Sequence, residues 1–364
     1  MRKLLLREGM KTTISVIGAG VGSFPGPSRA HPRLLEEAAK RLKEQEGGLL
    51  IDSFVARCGA GLELVMTHAR GVGDEEVRSL AGNVLHSCAE IATGLKLHGV
   101  DRDFSLDAVQ GAAEMEFEER ESEPVLLFMV APARAGAWNF HLFRTFADPF
   151  TTPGLVREPA MRDGFVFEVH DLIACRKAFF RTPNESYDLL ACLGASSRYV
   201  VRHVFSKEGA IAASTSIPRP DRSGRMHAGA SAPVMIVRSE SGFPAVGECL
   251  TPFTTPFLIA SGLRSGRHAP LMPVAVCDAG CTVGDGPPRA TCLGFQVSEG
   301  KLIGPADMFD DPGFDLVRSR CIELADMLGA HGPFEPHRLS LPETEYTTLP
   351  GVETQLRDRW GPLE

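Results

Sequence analysis

The chain has 364 residues, 43% of them hydrophobic and 23% charged, with a formal net charge of −8 and a pI near 5.8. This is the composition of a globular protein long enough to bury a large core. The acidic balance argues against a nucleic-acid partner, which needs clustered Lys and Arg, and no apolar run approaches the roughly 18 residues of a membrane span.

In chain order, Met1–Met10 starts positive but holds only three leucines in a row. That is shorter than the about 7–15 residues of a signal core. Residues 1–9 therefore read as an N-terminal extension, 10–364 as a single domain, and the location as cytoplasmic. The β-branched run Thr12–Ile17 predicts a strand. His31–Glu46 predicts a helix, with Leu34, Leu35, Ala38, Ala39 and Leu42 at helical spacing. Leu49–Ala56 and Leu62–Thr67 read as strands around a glycine-rich turn, and Asp74–Lys96 as a helix. Val125–Val130, Phe165–Leu172, Val200–Phe205, Val234–Arg238 and Phe295–Val297 read as strands, Ser186–Leu193 and Asp315–Leu328 as helices. Pro218–Ala232 is the most loop-like stretch, of a length that more often serves a site than divides domains. The mixture predicts an α/β protein with layered sheets.

Two local patterns point to cofactors and then fail. Gly18, Gly20 and Gly22 follow the first strand as in a dinucleotide-binding turn, which needs a helix at once to face the pyrophosphate. Pro25 and Pro27 fall where that helix would start, and Asp52 is too far along for the ribose contact about 20 residues on. Cys277 and Cys281 have zinc-like spacing, but no second Cys/His pair follows. The nine cysteines are odd in number and scattered, as small buried hydrophobes would be. No cofactor is expected.

Longer stretches carry a stronger signal. MKTTISVI (10–17), AEMEFEER with FADPFTTPGLV (113–156), PVMIVR with APLMPV (233–274), and DGPPR through EYTTLP (285–350) resemble the archaeal and bacterial fructose-1,6-bisphosphate aldolase/phosphatase family. The resemblance covers nearly all the chain from Met10. It implies a single-domain four-layer α-β-β-α sandwich, a homo-octamer, magnesium held by Asp side chains, and a Schiff-base lysine.

Between the matching stretches, the positions that carry that chemistry are changed. The family's first magnesium-binding Asp and His fall on Gly20 and Pro27. Its G-D-D pair falls on Ala60 and Gly61, and its A-D-K on Val130, Ala131 and Pro132. Its Y-V-G-K-D-D-P falls on His227 to Pro233, with Ala230 at the Schiff-base lysine and Ser231 and Ala232 at two Asp ligands. Lys96 and Val100 replace a substrate-contacting Tyr and Gln, and a phosphate turn is missing between Asp103 and Ala112. Ala cannot form an imine, and Gly, Ala and Ser cannot assemble a magnesium cage. No metal is expected, and both parent activities are expected to be absent.

What persists sets the remaining expectation. Arg264, Asp285 and Tyr346 match family substrate-site positions, Glu240 replaces a Gln, and His227 stands at the family's proton-donating Tyr. Lys96, His98, Arg267 and His268 add new polar groups to the same loops. The leading reading is a repurposed enzyme doing metal-independent acid/base chemistry, of lyase, dehydratase, cyclase or isomerase type. In it His227, Tyr346 and Asp285 move protons, while Arg264, Lys96, Glu240, His98, His268 and Arg267 bind a small substrate bearing phosphate or carboxylate. The alternatives are a non-catalytic binding or regulatory subunit, supported by the inert replacements, and residual fructose-1,6-bisphosphate aldolase/phosphatase activity.

Overall fold

The computed structural model describes residues 11–100, 110–131, 133, 135–196, 198–217, 232–257, 260–261, 268–280, 286–330, 351 and 354–363. Among them lie a four-stranded sheet and a larger mixed one, so the chain is an α/β protein.

The first sheet has four antiparallel strands. β1 (Lys11–Ala19) is the predicted β-branched run Thr12–Ile17, extended by one residue before it and two after it. It pairs with β3 (Gly61–His68) and with β4 (Gln110–Glu118), while β2 (Asp52–Cys58) forms the edge beyond β3. Two helices cover one face. In α1 (Pro32–Lys43), Pro32 occupies the first turn and the His31 ring accepts from the Arg33 N–H. In α2 (Glu75–Gly94), Asp74 accepts from the Val77 N–H at 3.0 Å, with Glu75 and Glu76 complementing the helix dipole. Leu34, Ala38 and Leu42 of α1 and Val77, Ala81 and Leu85 of α2 pack on Ile17, Leu62, Leu64 and Met66.

The opposite face of this sheet meets the second. There Ile14, Val16, Val65, Met115 and Phe117 pack against Val125, Leu127 and Met129 of β5 (Glu123–Ala131), with further contributions from later strands. The second sheet runs β11–β5–β10–β9–β8–β6–β7, where β6 is Phe165–Asp171, β7 Arg176–Arg181, β8 Tyr199–Ser206, β9 Ile211–Thr215, β10 Val234–Arg238 and β11 Arg289–Ser298. β12 (Lys301–Asp307) pairs with β11. On its far face, Phe128, Phe165, Phe167 and Val201 pack with α3 (Asn139–Phe146), α4 (Ser186–Leu193) and α5 (Asp315–Ala330). Successive residues of β5 thus alternate between two cores, as a strand buried on both faces requires.

Agreement with the sequence is close for α4 and β10, whose bounds coincide with the predicted ones. β2 starts three residues later than expected, because Gly47, Gly48 and Leu50 close a turn first. The glycine-rich stretch after β1 leads into a two-residue ladder, Ser23–Phe24 with Arg29–Ala30, and the first helix begins only at Pro32. Among the described cysteines Cys58, Cys88, Cys192, Cys249, Cys292 and Cys321 are buried, while Cys175 and Cys277 are exposed; Cys281 lies outside the described residues. No helix among the described residues is long and apolar enough to cross a membrane.

Candidate functional site

Strand pairing gathers the changed loops at one end of the two sheets. The Gly59–Gly61 turn joins β2 to β3, and the glycine stretch follows β1 where Gly18 pairs with Glu63. β5 ends at Ala131, opposite Arg289 of β11, and the Val130 N–H donates to the Pro233 carbonyl at 3.2 Å just ahead of β10. The Gly59 N–H donates to the Ala279 carbonyl, and the Ala30 N–H to the Gly59 carbonyl, each at 3.2 Å.

Lys96 and His98 join this cluster from the end of α2. Ser23 and His98 exchange backbone hydrogen bonds at 3.0 and 2.9 Å, so the glycine stretch is laid against the turn after the helix. Gly22 is needed there: its φ is +126°, and a Cβ would approach Ala92 at 2.9 Å and Val100 at 3.0 Å. Lys96 has a left-handed φ of 54° and, like His98, an exposed side chain.

Glu240 does not join. It follows β10 at the end away from Ala232, where its Oε1 accepts from the Val246 N–H at 2.9 Å. Five residues of strand span roughly 17 Å, so within one chain this side chain is remote from the changed loops. His268 lies in a two-residue strand, His268–Ala269, pairing with Ala260–Ser261. His227, Arg264, Arg267, Asp285 and Tyr346 lie outside the described residues, as do Ala230 and Ser231.

Several groups had no assigned role in the sequence. Glu63 is buried with its carboxyl over Gly18, and its Oε1 has no hydrogen-bond partner. Burial pushes its pKa up to about 8, against a lowering contribution from the Ala232 N–H. His68 is also buried; its Nε2 lies 2.9 Å from Ser15 Oγ, which donates to Glu114 at 3.2 Å, and Glu114 is paired with Arg78. The residue types are those of a Ser-His-acid triad, but the acid bonds the serine instead of the histidine, and all three are sealed beneath α2. This is a structural network, and burial holds the imidazole below its ordinary pKa.

The magnesium of the resemblance does not fit these residues. A hard cation takes about six to eight oxygen ligands, several of them carboxylates. At the described positions that the resemblance assigns as ligands stand Gly20, Pro27, Ala60, Gly61, Ala131 and Ala232. Glu63 alone, protonated through neutral pH, is no substitute. Among the described residues no group of three or more His, Cys, Asp and Glu could hold a metal.

A family profile described as fructose-1,6-bisphosphatase matches residues 11–361. Three similar proteins carry the name fructose-1,6-bisphosphate aldolase/phosphatase. That of Ignicoccus hospitalis is 47% identical, covering 97% of this chain and 94% of the relative. That of Moorella thermoacetica is 47% identical, covering 97% and 95%, and that of Methanothermobacter marburgensis 46%, covering 98% and 100%. These findings overturn the expectation of a repurposed lyase, dehydratase, cyclase or isomerase. Kinship this close over nearly the whole length points instead to the activity for which the relatives are named.

Proposed function

Because the chain belongs to the fructose-1,6-bisphosphate aldolase/phosphatase family, we propose that fructose 1,6-bisphosphate is its ligand and that it serves the step named for its relatives. The single observation that carries this reading is identity of 46–47% across nearly the full length of chain and relative alike. The same kinship supports carbohydrate metabolism as the setting, a cytoplasmic location, one domain over residues 10–364, a four-layer α-β-β-α sandwich and a homo-octamer.

The described residues offer no cage for magnesium and the sequence has Ala230 at the imine-forming position, so no catalytic step is derived through either group. That specific observation favours a second reading, a family member that binds the sugar bisphosphate without turning it over, as a regulatory or partner subunit. It rests on the Gly, Ala and Ser that stand in four loops where the resemblance would put carboxylates.

The purified chain, supplied with fructose 1,6-bisphosphate and with triose phosphates, with and without magnesium, separates the two. Phosphate release or aldol condensation supports the first. Calorimetric binding without turnover supports the second. Neither binding nor turnover overturns both.

A further inference from the structure

The first sheet ends at β4, and among the described residues no strand pairs with its outer side. Register fixes which main-chain groups that edge presents. The Ile51 N–H donates to the Thr67 carbonyl at 2.8 Å, so Thr67 turns toward β2, and Ile14, opposite it, turns toward β4. Met115 faces Ile14, so Glu114 and Glu116 on either side of it point their N–H and C=O groups to the open edge. Two arginines of the second sheet agree from that side. Arg202 donates to the Ala112 carbonyl at 2.9 Å and Arg238 to the Glu118 carbonyl at 3.3 Å. Between them the edge at Glu114 and Glu116 is left open.

Beside it runs a cleft of about 790 Å³, a size that admits a ligand. Phe205 of β8 and Ile211 of β9 belong to its far wall, because the second sheet continues past β4. The cleft is acidic as well as apolar. Glu116 pairs with Lys11, whereas Glu118 and Glu208 are exposed and, among the described residues, in no ion pair. An unpaired strand edge beside such a cleft suits an extended segment that carries both cations and aliphatic side chains.

A second copy of β4 does not suit it, since two such edges would bring Glu114, Glu116 and Glu118 of each chain against those of the other. Residues 1–10, MRKLLLREGM, which lie outside the described residues, have the matching chemistry. When the segment is extended, Leu4 and Leu6 share one face, and Lys3 and Arg7 the other. It joins β1 at Lys11, which lines the cleft and stands opposite Glu118. Crossing two strand spacings, about 10 Å, takes about three residues, and the rest is long enough to run along Glu114–Glu118. The family profile starts at residue 11, so the resemblance says nothing of this segment. We propose that residues 1–10 dock in the cleft of their own chain and add a fifth strand to the first sheet along Glu114 and Glu116, with Lys3 and Arg7 beside the glutamates and Leu4 and Leu6 against the apolar wall.

Hydrogen–deuterium exchange on the intact protein, resolved to single amides, tests this. The Glu114 and Glu116 amides should exchange about 10-fold faster or more in the double variant Leu4→Asp, Leu6→Asp and in Arg7→Glu than in the parent, the scale of one or two main-chain hydrogen bonds. Amides within β1 and β3 are the control and should keep their rates. A labelled synthetic peptide of residues 1–10 should bind the Leu4→Asp, Leu6→Asp protein, and bind more weakly once Glu118→Lys is added or salt is raised. Equal exchange of the two amides in parent and variants overturns the proposal. So does protection that survives the variants and grows with protein concentration, which would assign the edge to a second copy.

Discussion

Glu63 lies over Gly18 across the β1–β3 pair, its buried carboxyl filling the space where any larger residue would place a Cβ. The carboxyl therefore depends on glycine at that position. Gly18→Ala should cost on the order of 1–3 kcal/mol, the usual range for overpacking a closed interior. Urea denaturation checks it, and an unchanged midpoint would show that the carboxyl moves aside freely.

The same carboxyl gives a pH signature. Its folded pKa is raised to about 8 by burial, whereas an unfolded Glu titrates near about 4.3. Between those values the folded chain holds a proton that the unfolded chain has released, so stability from this group falls as pH rises and levels off above about 8. Glu63→Gln should flatten the decline and be the more stable protein at the alkaline end. Denaturation midpoints from pH 5 to 9 for both proteins measure this. Parallel profiles would refute it.

At the other end of the sheets, Glu123 is buried and takes hydrogen bonds from Arg238 at 2.8 and 2.7 Å and from Arg120 at 2.9 and 2.6 Å. Burial alone would raise its pKa, but the two guanidiniums outweigh that and hold it below the ordinary carboxylate range. Its contribution is present above the unfolded pKa and is lost as pH falls through the folded one. Glu123→Ala leaves two cations without their anion and should cost about 3–5 kcal/mol. Glu123→Gln, which keeps acceptor geometry at one oxygen, should cost less. Equal losses would mean that charge contributes little.

Magnesium offers a further check that needs no turnover. A protein that binds the ion only when folded gains about 2.7 kcal/mol at 100 times its dissociation constant. We expect no shift in melting temperature with millimolar magnesium. A rise that EDTA reverses would place a cation site among residues outside those described.

Much of the framework was readable from the chain. The helices announce themselves through apolar spacing and caps, and β10 through its run of Val, Met and Ile. β4, β7 and β12 are hard to read locally, each for its own reason. β4 alternates Ala113, Met115 and Phe117 inward with Glu114, Glu116 and Glu118, and glutamate is disfavoured in strands. β7 mixes Arg and Lys with Phe near the sheet margin, and β12 contains Pro305 and is mostly exposed, as suits an edge.

The site is legible in the sequence only where the resemblance marks it. Its loops were identified through neighbouring family motifs, and their convergence follows from strand pairing that no short window reveals. Glu240 went the other way: grouped with the site by motif, it sits beyond β10 at the opposite end.

The Ser23–His98 bridge has a consequence for the history and the re-engineering of this protein. It clasps the glycine stretch through main-chain atoms, so the path of that segment does not depend on what its side chains do. The turns around it hang on strands whose cohesion comes from apolar packing. Side chains at positions 20, 60, 61, 131 and 232 could accordingly be exchanged, carboxylates included, without redrawing the backbone that carries them.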